Sequence, residues 1–153
     1  MVNFEVMSLG SPPGSSSQAF WQALDILVAS TEIVIDRPSG TAHPRYADDI
    51  YPLDYGYLQG TSASDGGGID VWIGTLEKKK VCAVIVAIDL HKRDSEMKIL
   101  LGCTPEERRM ILDRHNKGKQ SAILIEPKVD EIDTDDNTAK EASLYRICGL
   151  ENA

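Results

Sequence analysis

Residues 51–73 read YPLDYGYLQGTSASDGGGIDVWI. Two runs within this stretch, Tyr55 to Leu58 and Ile69 to Ile73, are rich in aromatic and β-branched residues and predict strands. The glycines Gly66 to Gly68 allow a sharp turn just before the second run. Further strands are expected on both sides: Ile33 to Ile35 before, then Val81 to Leu90, Lys98 to Leu101 and Ala122 to Glu126 after. Ser16 or Ser17 can cap a helix running to about Ser30, with Trp21, Leu24, Leu27 and Val28 as its apolar stripe. A second helix starts at Thr104-Pro105-Glu106-Glu107, where Thr104 is the N-cap and Glu107 closes a capping box, and it ends near Lys117-Gly118. Short strands with two helices predict a mainly β (α+β) fold, a small and strongly bent sheet or barrel with peripheral helices.

The chain has 153 residues, enough for one domain with its own core. Residues 1–17 contain a Ser/Pro/Gly-rich run and are expected to be a flexible segment, residues 18–127 the folded domain, and residues 128–153 an acidic, loosely ordered tail. Residues 37–54, RPSGTAHPRYADDIYPLD, form a long loop of the kind that usually serves function. A net charge of −8 argues against nucleic-acid and anionic-membrane partners. No apolar run approaches the roughly 20 residues that span a bilayer, and the N-terminus lacks a signal-peptide pattern. Cys82, Cys103 and Cys148 show no metal or disulfide spacing, which fits a reducing cytoplasm. The sequence leaves the oligomeric state open, a homo-oligomer included.

Candidate chemistry lies in three places. Asp65 and Asp70 flank the glycine turn, where two carboxylates could share a hard cation, although such turns with solvated aspartates are common. Asp89 closes an apolar run and Asp94 follows five residues later, with Lys98 beyond; a plain surface hairpin would read the same way. Arg37, His43 and Arg45, followed by Tyr51, Tyr55 and Tyr57, combine guanidinium, imidazole and phenol donors suited to phosphate oxygens, although a surface loop whose tyrosines pack on the sheet would read the same way. No Walker A, GxSxG or Cys/His nucleophile pattern occurs. An enzyme with these residues would use metal-activated water in preference to a covalent intermediate.

Taken together, these pieces resemble soluble family I inorganic pyrophosphatases, from about Glu32 to Ile125, roughly 60% of the chain. Tyr51-Pro52-Leu53-Asp54-Tyr55-Gly56-Tyr57 is similar to that family's YPxNYGY segment, and Asp65-Gly66-Gly67-Gly68-Ile69-Asp70-Val71 to its D-G-D-P-x-D-V signature. The resemblance implies an OB-like closed β-barrel with two flanking helices. It also implies hydrolysis of inorganic pyrophosphate to two phosphates, with Mg²⁺ as cofactor. On that reading Asp65, Asp70, Asp89, Asp94 and Asp36 are metal ligands. Arg45, Tyr55, Lys98 and, near the second helix, Lys117 or Lys119 hold the phosphates, and Asp70, Tyr55, Arg45 and Lys98 act in catalysis. The chain departs from the pattern at Gly67, where the family has an aspartate beside the attacking water, at Ala47, where it has a glutamate, and at Glu96, where it has a lysine. These departures raise an alternative, a catalytically weakened domain that still binds metal and phosphate compounds.

Overall fold

The computed structural model describes residues 16–128. Helix α1 (Ser16–Ala29) leads into six strands and a second helix: β1 (Ile33–Arg37), β2 (Asp54–Leu58), β3 (Ile69–Ile73), β4 (Val81–Asp89), β5 (Asp94–Leu101), α2 (Pro105–Arg114) and β6 (Gln120–Ile125). The strands form one sheet in the order β1-β2-β3-β5-β4-β6. All neighbours are antiparallel except β3 and β5, which run parallel with Asp70 opposite Lys98 and Trp72 opposite Leu100. That parallel pair arises because the chain passes β5's place, lays down β4 beyond it, and returns by a tight turn.

The period-2 alternation of the strands gives the sheet two apolar faces. Leu58, Val71, Val84, Ile99 and Leu101 pack with Trp21 and Leu24 of α1. Their sequence neighbours Trp72, Ile85 and Leu100 point the other way and pack with Tyr51, Leu53, Cys103 and Ile111 of α2. A one-residue slip of any strand would exchange these sets, so burial itself fixes the register. Gly56 fixes the β1–β2 approach sterically, since a Cβ there would lie 1.9 Å from the Val34 carbonyl oxygen.

The fold is mainly β with two flanking helices, as the strand pattern predicts. The closed barrel is not formed: β1 and β6 are the two edges, and among the described residues no ladder joins them. The strands β4 and β6 that would have to curl round lie together on the far side of β5. Strand β5 also begins at Asp94 and not at Lys98, because the hairpin turn is tight, with Arg93 in the left-handed region at φ 59°. Helix α2 carries the predicted capping box in full, with Glu107 N donating to Thr104 Oγ1 at 3.2 Å and Thr104 N donating to Glu107 Oε2 at 2.9 Å. It ends at Arg114, short of Lys117. The long loop before β2 is organised as a hairpin-like excursion: Gly40 N donates to the Tyr51 carbonyl, Tyr51 N to Thr41, and Ala42 bridges Ile50. Residues 1–15 and the acidic tail from residue 129, with Cys148, lie outside the described residues. Among those described, no helix is long and apolar enough to cross a membrane.

Candidate functional site

The α2 face of the sheet is not wholly apolar. Side chains two apart on a strand share a face, so Glu96 and Lys98 of β5 sit beside Asp70 of β3, and Tyr55 of β2 follows across the β2–β3 pair. Lys98 is only 4% exposed, and its ammonium donates to Asp70 Oδ2 at 2.7 Å, Glu96 Oε2 at 2.9 Å and Tyr55 Oη at 3.0 Å. An ammonium has three donors, and all three are used. A buried charge without partners would be expelled or neutralised, so this satisfaction is what allows a lysine to sit there. Burial works against the ammonium, but its Tyr55 and Asp70 partners outweigh it and raise its pKa above the ordinary lysine value. Burial likewise pushes the Tyr55 phenol up; the Lys98 charge pulls the other way and Asp70 adds to the rise, so the phenol stays protonated.

An aromatic wall backs this cluster. Tyr55 meets Trp72 edge to face at 4.7 Å and lies 5.4 Å from Tyr51. Two guanidinium groups lie over Tyr51, Arg37 at 5.5 Å and Arg114 at 4.6 Å from the ring centroid, in cation–π range. Arg37 also donates to the Tyr51 hydroxyl, and Arg114 is tethered by Asp49 Oδ1 at 2.8 Å and the Ile50 carbonyl at 3.1 Å. Behind them Trp72 Nε1 donates to His115 Nε2 at 3.1 Å, with His115 Nδ1 3.3 Å from Gln120 Oε1. Accepting from Trp72 requires a bare Nε2, so His115 is neutral. Burial, reinforced by the Lys98 charge, pushes its pKa down to about 4.

Of the residues singled out from the sequence, Tyr55, Asp70 and Lys98 are thus brought together from three strands. The others are placed elsewhere. Asp65 is exposed, and its Oδ1 accepts from Gly67 N at 2.9 Å within its own turn. The Asp65 loop is pinned to β5 by Ser64 Oγ donating to the Ser95 carbonyl at 2.7 Å. Asp89 Oδ1 accepts from His91 N and Lys92 N at 2.8 and 3.0 Å; the Lys92 bond foremost holds its carboxyl below the ordinary range. Asp94 stands opposite Asp89 across the hairpin. Asp36 is exposed on β1, Arg45 on the loop, and Lys117 and Lys119 beyond α2. Asp54 Oδ1 accepts from Ser39 N at 2.8 Å.

Sequence reasoning passed over Arg114 and His115 as site residues, and named Glu96 only as a departure. The signal for Glu96 was available, because it shares the strand face of Lys98. Arg114 and His115 carry none, since their partners Asp49, Ile50, Trp72 and Tyr51 lie more than 40 residues away in sequence.

Carboxylate oxygens are the right donors for Mg²⁺. Their placement does not fit a bound ion: Asp65 and Asp89 are turned onto their own backbones, and Lys98 takes Asp70 and Glu96. Among the described residues, no three His, Cys, Asp or Glu side chains are grouped so as to hold a metal ion.

No protein-family model matches this chain, and no curated protein matches its sequence. Solved structures similar to it include an inorganic pyrophosphatase from Neisseria gonorrhoeae, at 18% identity over 74% of this chain and 90% of that one, with a TM-score of 0.46. An inorganic pyrophosphatase from Helicobacter pylori is 14% identical over 74% and 92%, with a TM-score of 0.43. An inorganic phosphatase from Anaplasma phagocytophilum is 13% identical over 60% and 80%, also with a TM-score of 0.43. Likeness this distant leaves the functional reading to the side chains themselves.

Proposed function

We propose that this chain acts on inorganic pyrophosphate, hydrolysing it to two phosphates, in the cytoplasm and at the face where Tyr55, Asp70 and Lys98 meet. The observation that carries the reading is that convergence: Tyr55 and Asp70, singled out by two separate motifs, both lie within 3.0 Å of the Nζ of a third residue singled out from the sequence, Lys98. An accidental motif match gives no reason for residues up to 43 positions apart to touch. Arg37 and Arg114 supply planar donors at the rim, of the kind that recognise phosphate oxygens in pairs.

Charge sets a condition on this reading. Lys98, Asp70 and Glu96 together carry one net negative charge, and Asp49 takes up part of what Arg114 offers, so the face has no net positive charge to neutralise a polyanion. Pyrophosphate therefore needs added cations to approach, and dependence on Mg²⁺ is part of the proposal. The side chains as placed assign no ligand to that ion.

The test is release of phosphate from pyrophosphate across Mg²⁺ concentration and pH, with EDTA and Ca²⁺ as expected suppressors. Absence of release under all these conditions would sink the hydrolase reading. A second reading, binding of phosphoanhydrides without turnover, is favoured by Gly67, which brings no carboxylate to the signature turn. Calorimetric titration of pyrophosphate into a chain that releases no phosphate would support it, and no heat above dilution would remove it.

A further inference from the structure

We infer that Lys98 is a built-in counter-cation for Asp70 and Glu96, occupying the position between the two carboxylates and closing it to divalent ions. The inference concerns the same face as the proposed activity but rests on the geometry of the triad alone. Asp70 and Glu96 come from different strands, yet both present an oxygen to one point, at 2.7 and 2.9 Å from Lys98 Nζ. Two carboxylates and a phenol oxygen around one cation make the kind of hard-oxygen environment that a divalent ion also seeks. Here the cation is covalently attached to β5. The parallel ladder sets Lys98 directly opposite Asp70, so the ammonium is delivered to the carboxylates by backbone hydrogen bonding as well as by charge.

A divalent ion at this point would stand within contact distance of the ammonium, and like charges in a site this buried repel strongly. Entry requires Lys98 to leave. Leaving is opposed twice, because the lysine is only 4% exposed and all three of its donors are satisfied where it sits, and an unpaired buried ammonium is costly. Glu96 is what makes the arrangement close. With Asp70 alone the ammonium would be matched one to one, whereas the second carboxylate fills its third donor and draws it inward. Asp70 therefore serves as an anchor for Lys98 and not as a metal ligand while that lysine is present.

Mn²⁺ binding to the full-length chain, followed by electron paramagnetic resonance and calorimetry, tests this. Lys98→Met keeps much of the side-chain volume and removes the charge. It is expected to bind Mn²⁺ at least ~10-fold tighter than the unaltered chain, and Asp70→Asn added to it should abolish the gain. Asp70→Asn with Lys98 retained should leave Mn²⁺ binding unchanged. The inference is overturned if Lys98→Met binds Mn²⁺ no tighter, or if Asp70→Asn alone weakens binding by ~10-fold or more. Should Lys98→Met fail to fold, the Asp70→Asn comparison decides by itself. Phosphate release is not a readout here, so a chain without hydrolase activity still tests the inference, and an active one does not rescue it.

Discussion

The two faces of the sheet are built from the same strands and differ in what they do with the same alternation. On the α1 side, every buried position is a hydrocarbon or an indole: Trp21, Leu24, Leu58, Val71, Val84, Ile99 and Leu101. On the α2 side, the same strands contribute Tyr55, Asp70, Glu96 and Lys98 beside Trp72, Ile85 and Leu100. Adjacent residues make the contrast sharpest. Ile99 and Lys98 are buried to nearly the same degree, one by transfer of apolar surface, the other by satisfying three donors. Apolar burial is tolerant of small shifts and tells nothing about chemistry. A fully satisfied ammonium is specific in direction and sensitive to the loss of a partner.

The comparison can be broken most forcefully at Ile99. Ile99→Ala should cost about 3 kcal/mol, since the side chain is fully buried and leaves a cavity against α1. Pyrophosphate turnover per folded molecule should be unaffected, because the side chain points away from Lys98. Urea melts and a phosphate assay on the folded fraction check this. A loss of turnover matching the loss of stability would mean that the two faces are not separable.

Asp70→Asn should do the opposite. It keeps shape, removes one of the two charges that hold Lys98, and should lower phosphate release at least ~100-fold, equivalent to roughly 3 kcal/mol of transition-state stabilisation. The drop in thermal stability should be smaller than for Ile99→Ala, since Glu96 and Tyr55 still satisfy Lys98 and the Asp70 side chain is 27% exposed. Near-normal turnover would remove Asp70 from the function.

How much of this contrast the sequence shows depends on the distance over which it is written. The strands announce themselves through local alternation, and the start of α2 through four consecutive residues, Thr104 to Glu107. The Asp65 and Asp89 turns are visible too, but what their carboxylates do is not. In both cases the nearest donors are backbone N–H groups two or three residues ahead, and a short side chain satisfies those first. Motif matching shows residue type and spacing, and both aspartates pass that test while pointing into their own loops. The Lys98 triad depends on a parallel register between strands that are not consecutive, which no local pattern encodes. Barrel closure fails for the same reason: strand count is legible, and strand order is not.

Acid offers a third way to separate the faces, since only the α2 side contains a buried histidine. In the unfolded chain His115 takes up a proton near its ordinary pKa of about 6.5. In the folded chain, where burial and Lys98 disfavour the imidazolium, it does so only near 4. Between those values the unfolded state holds more protons, so stability must fall as pH drops through this window and is restored above it. The whole interval is worth about 3 kcal/mol at most, with a smaller loss by pH 5. Trp72 donates to the same imidazole, so its fluorescence should change as His115 becomes protonated. Urea titrations from pH 7 to 4.5 on the unaltered chain and on His115→Gln check this. An equally steep decline in the variant would place the acid sensitivity elsewhere.

The smallest effect is expected at Gly67, where the sequence departs most visibly from the resemblance. The strained backbone position in this turn is Gly66, at φ 85°, and not Gly67. A side chain at residue 67 is therefore tolerated by the backbone, but its Cβ would lie 3.3 Å from Asp65 Oδ1, the atom that accepts from Gly67 N. Gly67→Ala should shift the Asp65 carboxylate by a few tenths of an ångström and change the melting temperature by about 1 °C or less. Gly67→Asp adds like charge at that contact, and at low ionic strength it should melt roughly 1–2 °C below the Ala variant, a difference that salt erases. Divalent cations act with the other sign. Two adjacent carboxylates on an exposed turn attract Mg²⁺ where one does not, so the Asp variant should gain stability on adding Mg²⁺ while the Ala variant should not. That result would make the exposed turn between β2 and β3 the place where this chain can be given a metal without displacing Lys98. If the Asp and Ala variants respond alike to both salt and Mg²⁺, residue 67 does not face Asp65 in solution, and the match of this turn to the D-G-D-P-x-D-V signature fails at its centre.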